Sequence, residues 1–411
     1  MAEFASLVIL TLSELWKAMF GSVLFWVVLI FVGIQYRRIA KTRENLFGIR
    51  GNTVVKDTAV ATLYGLIGGI VASLLLVFTG INLSGLGIGY IWPLALLLML
   101  LNPRFLCFAY AGGLVALSKL VFGAPQVDIP QLMGLVAILH LVESLLISIS
   151  GHVGATPMYT KNASGQLVGG FTLQKFWPLP IVAVAFLTNP SGFTVLPSMP
   201  SWWPLIKFGH YFSINAVGLL VPFVAGLGYS DLALAHTPVE KSKMSARNLS
   251  VFSLILLLLA LLASRYHLFA YLAAIFAPLG HEAVIHFGKD TELRGAPIFT
   301  PPLRGVRVLE AVPHTPVASA GLKSGDIIYT INGQAVSSKR DIETLTWTRP
   351  SMLEIEYLTY ARRKWQRTVI KLKPHQTLGI IAVPEGDEVM YTEFTGQGMI
   401  FRLFGKLMNK E

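Results

Sequence analysis

The segment Ala277-Pro278-Leu279-Gly280-His281-Glu282-Ala283-Val284-Ile285-His286 carries the residue types best suited to chemistry, two imidazoles and a carboxylate in one apolar stretch. His-Glu-x-x-His holds zinc because residues four apart lie roughly 40° apart around a helix, so both imidazoles reach one ion and the glutamate acts as base. Here the histidines are five apart, which at 100° per residue separates them by about 140°. They point to different faces. The plainer expectation is that His281, Glu282 and His286 mark a helix leaving the membrane beside Lys289 and Asp290.

A second candidate pair is His140 and Glu143, one turn apart inside another apolar run. Ionisable groups at such depth are expensive and carry a functional hypothesis by default, here a proton or cation path that His210 could extend. The competing expectation is a hydrogen-bonded structural pair within a helix bundle. One cysteine, Cys107, lies in an apolar run, so no disulfide framework and no cysteine zinc site is expected within one chain. No phosphate-binding glycine loop, serine triad spacing or cysteine nucleophile stands out. The residues predict no catalysis, no metal and no cofactor.

The elements that must position these residues are set by composition. The chain has 411 residues, 54% hydrophobic and 13% charged, against about a quarter charged in soluble domains. That predicts an integral membrane protein. The net charge of +11 fits basic residues collected on cytoplasmic loops rather than a nucleic-acid partner. The basic cluster Arg37, Arg38, Lys41, Arg43 follows the first apolar run, so that run reads as a retained helix, not a cleaved signal. Apolar runs near 16–35, 59–79, 88–101, 105–122, 131–149, 177–189, up to 229, 249–264 and 268–286 give eight or nine spans, the sixth broken by Pro178, Pro180 and Pro190. Glycine pairs Gly68-Gly69 and Gly112-Gly113 read as helix-packing contacts. Placing 36–57, 102–104, 150–176 and 230–247 inside collects twelve Lys and Arg there against four outside. The positive-inside rule then puts the C-terminal part in the cytoplasm and, with nine spans, the N-terminus outside.

From about residue 289 the composition becomes an ordinary α/β mixture. Val306-Arg307-Val308-Leu309 alternates as a strand, Gly321 can cap a short helix, and Ile327-Ile328-Tyr329-Thr330-Ile331 has strand composition. Asn332-Gly333 is a strong hairpin signal. A helix follows from Lys339 to Leu345, then alternating strands over 353–357 and 368–372. This order, with "TPVASAGL", "SGDII" and "ING", resembles a bacterial PDZ domain over 295–384. Leu378-Gly379-Ile380 is similar to the PDZ carboxylate-binding loop and groove strand. Lying last, it implies the circularly permuted order, with Leu303-Arg304-Gly305-Val306 as the rival loop. The resemblance assigns peptide binding to Leu378, Gly379, Ile380, Ile342, Leu345 and Arg340, with Arg304 and Lys339 favouring acidic partners. PDZ domains add a peptide, usually a C-terminus, to their sheet edge. In the tail, 385–411, Arg402, Lys406 and Lys410 recur every four residues, the stripe of a basic interfacial helix or of one packed back on the domain.

The whole layout, a polytopic region at 1–288 followed by one PDZ domain, resembles the MinJ family of cell-division topological determinants. The likeness includes Tyr36-Arg37-Arg38, Asn102-Pro103-Arg104, Ala277-Pro278-Leu279-Gly280-His281-Glu282 and Leu378-Gly379-Ile380. It implies a non-enzymatic scaffold in the cell membrane, at septa and poles, linking a DivIVA-like marker to a MinD-like inhibitor. Two alternatives remain at this stage. The His-Glu helix beside a PDZ domain is similar to site-2 metalloproteases, and Glu143 with the broken sixth run could belong to a transporter.

Overall fold

The computed structural model describes residues 2–48, 54–188, 192–208, 216–347, 351–373 and 376–386. His210 and the stripe of Arg402, Lys406 and Lys410 lie outside the described residues. The chain begins with α1 (Ala2–Trp16) and a π-helical turn, then α2 (Val23–Phe47). The first long apolar helix therefore starts at Val23 rather than near residue 16, and it carries the basic cluster expected in a loop. Next come α3 (Val54–Thr79), the shorter α4 (Ile88–Leu101) and α5 (Phe108–Phe122), and α6 (Ile129–Ser150). After strands β1 (Thr156–Lys161), β2 (Leu167–Leu187), β3 (Thr194–Val195) and β4 (Val217–Ala233) follow α7 (Pro238–Ala263) and α8 (His267–Arg294).

Among the described residues, α2, α3, α6, α7 and α8 are long and apolar enough to cross a membrane. At 1.5 Å per residue the 14 residues of α4 reach about 21 Å, short of a hydrocarbon layer roughly 30 Å thick. α4 and α5 form a hairpin whose tip at 102–107 meets the middle of α6 and α8. At that tip Arg104 pairs with Glu282 of α8 at 3.0 Å.

The sixth and seventh apolar runs are strands, not helices. β2 and β4 pair antiparallel from Phe171↔Ala233 to Leu187↔Val217, in a sheet of order β1-β2-β4-β3. Proline decides this. A helix interior loses a hydrogen bond and meets a clash at proline, whereas a strand edge tolerates it where no N–H is required. Beyond β1, the free edge of β2 faces helices and must be satisfied without water. The Tyr36 hydroxyl contacts both the amide and carbonyl of Phe176. Pro178 and Pro180 have no N–H to place. The Val182 amide donates to Ser73 Oγ at 2.9 Å, Val184 bridges Asn82, and the Phe186 amide donates to Ser84 Oγ at 3.0 Å. From Phe176 to Phe186, each second residue of this edge has a partner or no N–H to place.

Glycines bring α3 onto that edge. A Cβ at Gly65 would stand 2.2 Å from the Pro178 carbonyl oxygen, and one at Gly69 would stand 2.1 Å from that of Pro180. Gly68 abuts Leu146 of α6, Gly112 meets Val136 of α6, and Gly113 lies against Pro278 and Ala274 of α8. The expected packing role of both glycine pairs holds, with Gly69 seated on a strand rather than a helix. Along β2, Trp177, Leu179, Ile181 and Ala183 enter the main core while Val182 and Val184 pack on the other face with Leu7 and Leu15.

The C-terminal part comprises β5 (Val306–Ala311), α9 (Pro316–Ser319), β6 (Ile327–Ile331), β7 (Gln334–Ala335), α10 (Lys339–Trp347), β8 (Met352–Leu358), β9 (Trp365–Lys371) and β10 (Ile380–Ala382). Its sheet runs β10-β5-β6-β8-β9, with β7 on β6. Asn332 and Gly333 both have positive φ, 51° and 75°, as the tight hairpin between β6 and β7 requires. The sheet's own core includes Val308, Ile328, Ile355 and Tyr357, yet Leu309, Val312, Ile381 and Val383 join the core of the first region instead. The two parts are packed together. The Tyr159 hydroxyl donates to the Ala382 carbonyl at 2.8 Å, the Gly169 amide to Phe299 at 2.9 Å, and Arg43 to Glu310 at 2.8 Å.

Candidate functional site

The C-terminal sheet ends in β10, which pairs with β5 on one side only. Leu378 and Ile380 pack in one apolar cluster with Ile342 and Leu345 of α10. The amide of Lys339, at the start of α10, donates to Glu385 just past β10 at 2.6 Å. Strand edge and helix thus meet across this apolar cluster. Gly379 sits at φ 84°, a conformation that side chains resist, and its Cβ would fall 2.3 Å from Thr315 Oγ1. Its carbonyl accepts from the Val312 amide at 2.9 Å, and that of Leu378 accepts from Val317 at 3.3 Å. These bonds fix the loop that precedes β10. Five of the six peptide-binding candidates are therefore brought together, while Arg340 is exposed outside the apolar cluster. The rival segment 303–306 leads into β5, which is paired on both sides, and Leu303 is fully exposed. A paired central strand has no edge to offer.

The polar residues of the helical region fall into separate groups. His286 is exposed and lies 3.4 Å from Asp290. His281 faces inward, where its Nε2 stands 3.7 Å from Cys107 Sγ. Cys107 Sγ is also 3.0 Å from His140 Nε2. Glu282 accepts from the Tyr110 hydroxyl at 2.7 Å and pairs with Arg104. The expected exit of 281–286 into water is thus only half right: His286 is exposed, but His281 packs within the bundle. Nor do His140 and Glu143 form a hydrogen-bonded pair. Among the described residues His140 instead reaches the Val136 carbonyl at 2.7 Å and Cys107.

A curated relative matches most of the chain. The cell division topological determinant MinJ of Bacillus subtilis (strain 168) is 27% identical over 396 residues, covering 89% of this chain and 93% of the relative. The chain is similar to MinJ. No protein-family model matches it. Among solved structures, the PDZ domain of an SdrC-like protein from Listeria monocytogenes is 23% identical and covers 20% of this chain and 92% of that one, with a TM-score of 0.18.

Two further polar groups of this MinJ-like chain escape sequence reasoning. Lys241 is completely buried, 3.3 Å from Asp231, and donates to the Gly288 carbonyl at 2.9 Å. Glu292, equally buried, accepts from the amides of Leu234 and Ala235 at 2.8 Å each and reaches His236 Nδ1 at 2.8 Å. Together they lock the end of β4 between α7 and α8. The segment 231–247, expected as a polar loop, is instead the strand end and the first turns of α7, begun by a Thr237–Glu240 capping box. The other group is Arg43–Glu310, between α2 and β5. Burial pushes the Glu310 carboxyl up to about 7 despite the opposing Arg43 charge. No local sequence signal links residues so far apart in the chain.

Proposed function

We propose that this chain is a non-enzymatic membrane scaffold that helps place the division site, and that its C-terminal region is a circularly permuted PDZ domain spanning 295–384. The observation that carries this reading is the similarity to MinJ, a cell division topological determinant, over 89% of the chain. The groove adds the physical means. An extended peptide can add a strand to β10, with its side chains received by Leu378, Ile380, Ile342 and Leu345. Arg340, Lys339 and Arg304 act on the rate and selectivity of encounter with acidic partners rather than on contact within the groove.

Charge and packing together support one orientation. Arg43, the β1–β2 sheet end, and the β4–α7 junction all contact the C-terminal region or its leading segment. The segments richest in Lys and Arg therefore lie on the same side as that region, which the positive-inside rule puts in the cytoplasm. Confinement to the membrane raises the domain's effective concentration for other membrane-attached proteins. In this reading its partners are a DivIVA-like marker and a MinD-like inhibitor, at septa and poles. The metalloprotease alternative loses its motif, since His281 and His286 occupy opposite environments.

The test uses full-length protein in nanodiscs and fluorescent peptides matching the C-termini of the DivIVA-like and MinD-like proteins of its host. Saturable binding that falls at least tenfold with Ile380→Glu supports the groove. Binding unchanged by Ile380→Glu and Leu345→Glu would remove it.

A further inference from the structure

Cys107, His140 and His281 come from three elements, the α4–α5 tip, the middle of α6 and α8, yet their donor atoms all lie within 4.8 Å of one another. Cys107 Sγ stands 3.0 Å from His140 Nε2 and 3.7 Å from His281 Nε2. A tetrahedral zinc ion, with bonds of about 2.3 Å to sulfur and about 2.0 Å to nitrogen, separates such atoms by about 3.5 Å. Both sulfur–nitrogen separations lie within about 0.5 Å of that value, and the two imidazoles close on the same point from α6 and α8.

Their orientation fits as well. A carbonyl can only accept, so the 2.7 Å contact with Val136 puts the His140 proton on Nδ1 and leaves a lone pair on Nε2, facing the sulfur. Metal-bound histidines are held in this way, by a backbone carbonyl on the far nitrogen. The rings of Tyr110 and Phe252 flank His281 at 5.2 and 5.6 Å, and Phe252 also flanks His140 at 5.5 Å, so the donors sit in an apolar shell. A plain thiol–imidazole hydrogen bond accounts for the shorter contact alone. It leaves His281 at 3.7 Å from the sulfur with its other nitrogen buried and, among the described residues, without a partner. Glu282 is tied to Tyr110 and Arg104, where it braces the helix carrying His281.

We propose that Cys107, His140 and His281 bind one zinc ion, which pins the α4–α5 hairpin tip to α6 and α8. One thiolate and two imidazoles favour a borderline transition metal over calcium or magnesium, which take oxygen ligands. The thiol proton is released to solvent as the Zn–S bond forms. A fourth coordination position is left for water. This proposal is independent of the scaffold reading and of the groove.

The test is metal binding by the full chain in detergent after treatment with a chelator. Titrated Co²⁺ is expected to bind at one ion per chain and to give a near-ultraviolet thiolate-to-cobalt charge-transfer band that Zn²⁺ displaces. Cys107→Ser should abolish the band, and His281→Ala should weaken Zn²⁺ binding at least about tenfold. His286→Ala, exposed on the same helix, should change neither. Absence of the band in the wild-type protein overturns the proposal, and that measurement does not depend on any variant folding. Equal Zn²⁺ affinity in wild type and Cys107→Ser overturns it too.

Discussion

Ser73 on α3 joins two elements at one atom: its hydroxyl donates to the Gly69 carbonyl at 2.6 Å and accepts the Val182 amide of β2 at 2.9 Å. Ser73 is completely buried, so no water can replace it. Ser73→Ala leaves a buried amide unsatisfied and should lower stability by about 1–3 kcal/mol. Thermal unfolding in detergent measures this, with Ser13→Ala, on the exposed face of α1, as the neutral comparison.

The same helix face predicts a sharp contrast among glycines. Gly65→Ala and Gly69→Ala force a methyl onto the backbone of Pro178 or Pro180, where neither side can yield by a rotamer change. Each should destabilise by roughly 2 kcal/mol or more, through overpacking. Gly89→Ala meets nothing within 4 Å and should be neutral or slightly stabilising, since alanine is the better helix former. Equal melting temperatures for all three variants would contradict the close seating of α3 on β2.

Across the interface between the two parts, Glu310 titrates inside the physiological range. Its carboxyl ionises near 4.5 when free but is pushed up to about 7 in the folded protein by burial. The folded state therefore holds a proton that the unfolded chain releases, and stability falls as pH rises from about 4.5 to about 7. Melting curves across that window should show the decline, and Glu310→Gln should flatten it. Arg43→Ala, which removes the favourable charge beside Glu310, should steepen it and speed amide exchange in β5.

Burial also bears on how the C-terminal region behaves alone. Leu309, Val312, Ile381 and Val383 pack into the core of the first region, so an isolated 295–384 fragment exposes all four. Such a patch favours self-association. Light scattering on the fragment should show oligomers or aggregates, and Leu309→Lys together with Ile381→Lys should restore a monomer.

The C-terminal strands were legible because they alternate cleanly and are punctuated by glycine turns: Val306–Ala311, Ile327–Ile331 and the Asn332-Gly333 hairpin all stand where the pattern puts them. Helix α6 likewise matches its apolar run. The run ending at 189 failed because a long apolar strand buried on both faces has no period to read. The run ending at 229 is as uniformly apolar in sequence, although the strand it forms is largely half-buried. The prolines at 178 and 180 were the available signal, and they mark a strand edge facing glycines. Of the candidate chemistry, His281 and Glu282 were visible as types, but their partners were not. Cys107, Tyr110 and Arg104 reach them only through the α4–α5 hairpin, and no periodicity along one segment reports contacts between three. Lys241 and Glu292 hid for the same reason: each reads as surface charge until β4 ends between their helices.

The measurement that tests the scaffold account most directly is the position of a fluorescent fusion of the full chain in dividing cells of its host. The account predicts enrichment at septa and young poles, lost when the DivIVA-like protein is removed and weakened by Ile380→Glu without loss of membrane insertion. An even peripheral signal, unchanged by either, would contradict it.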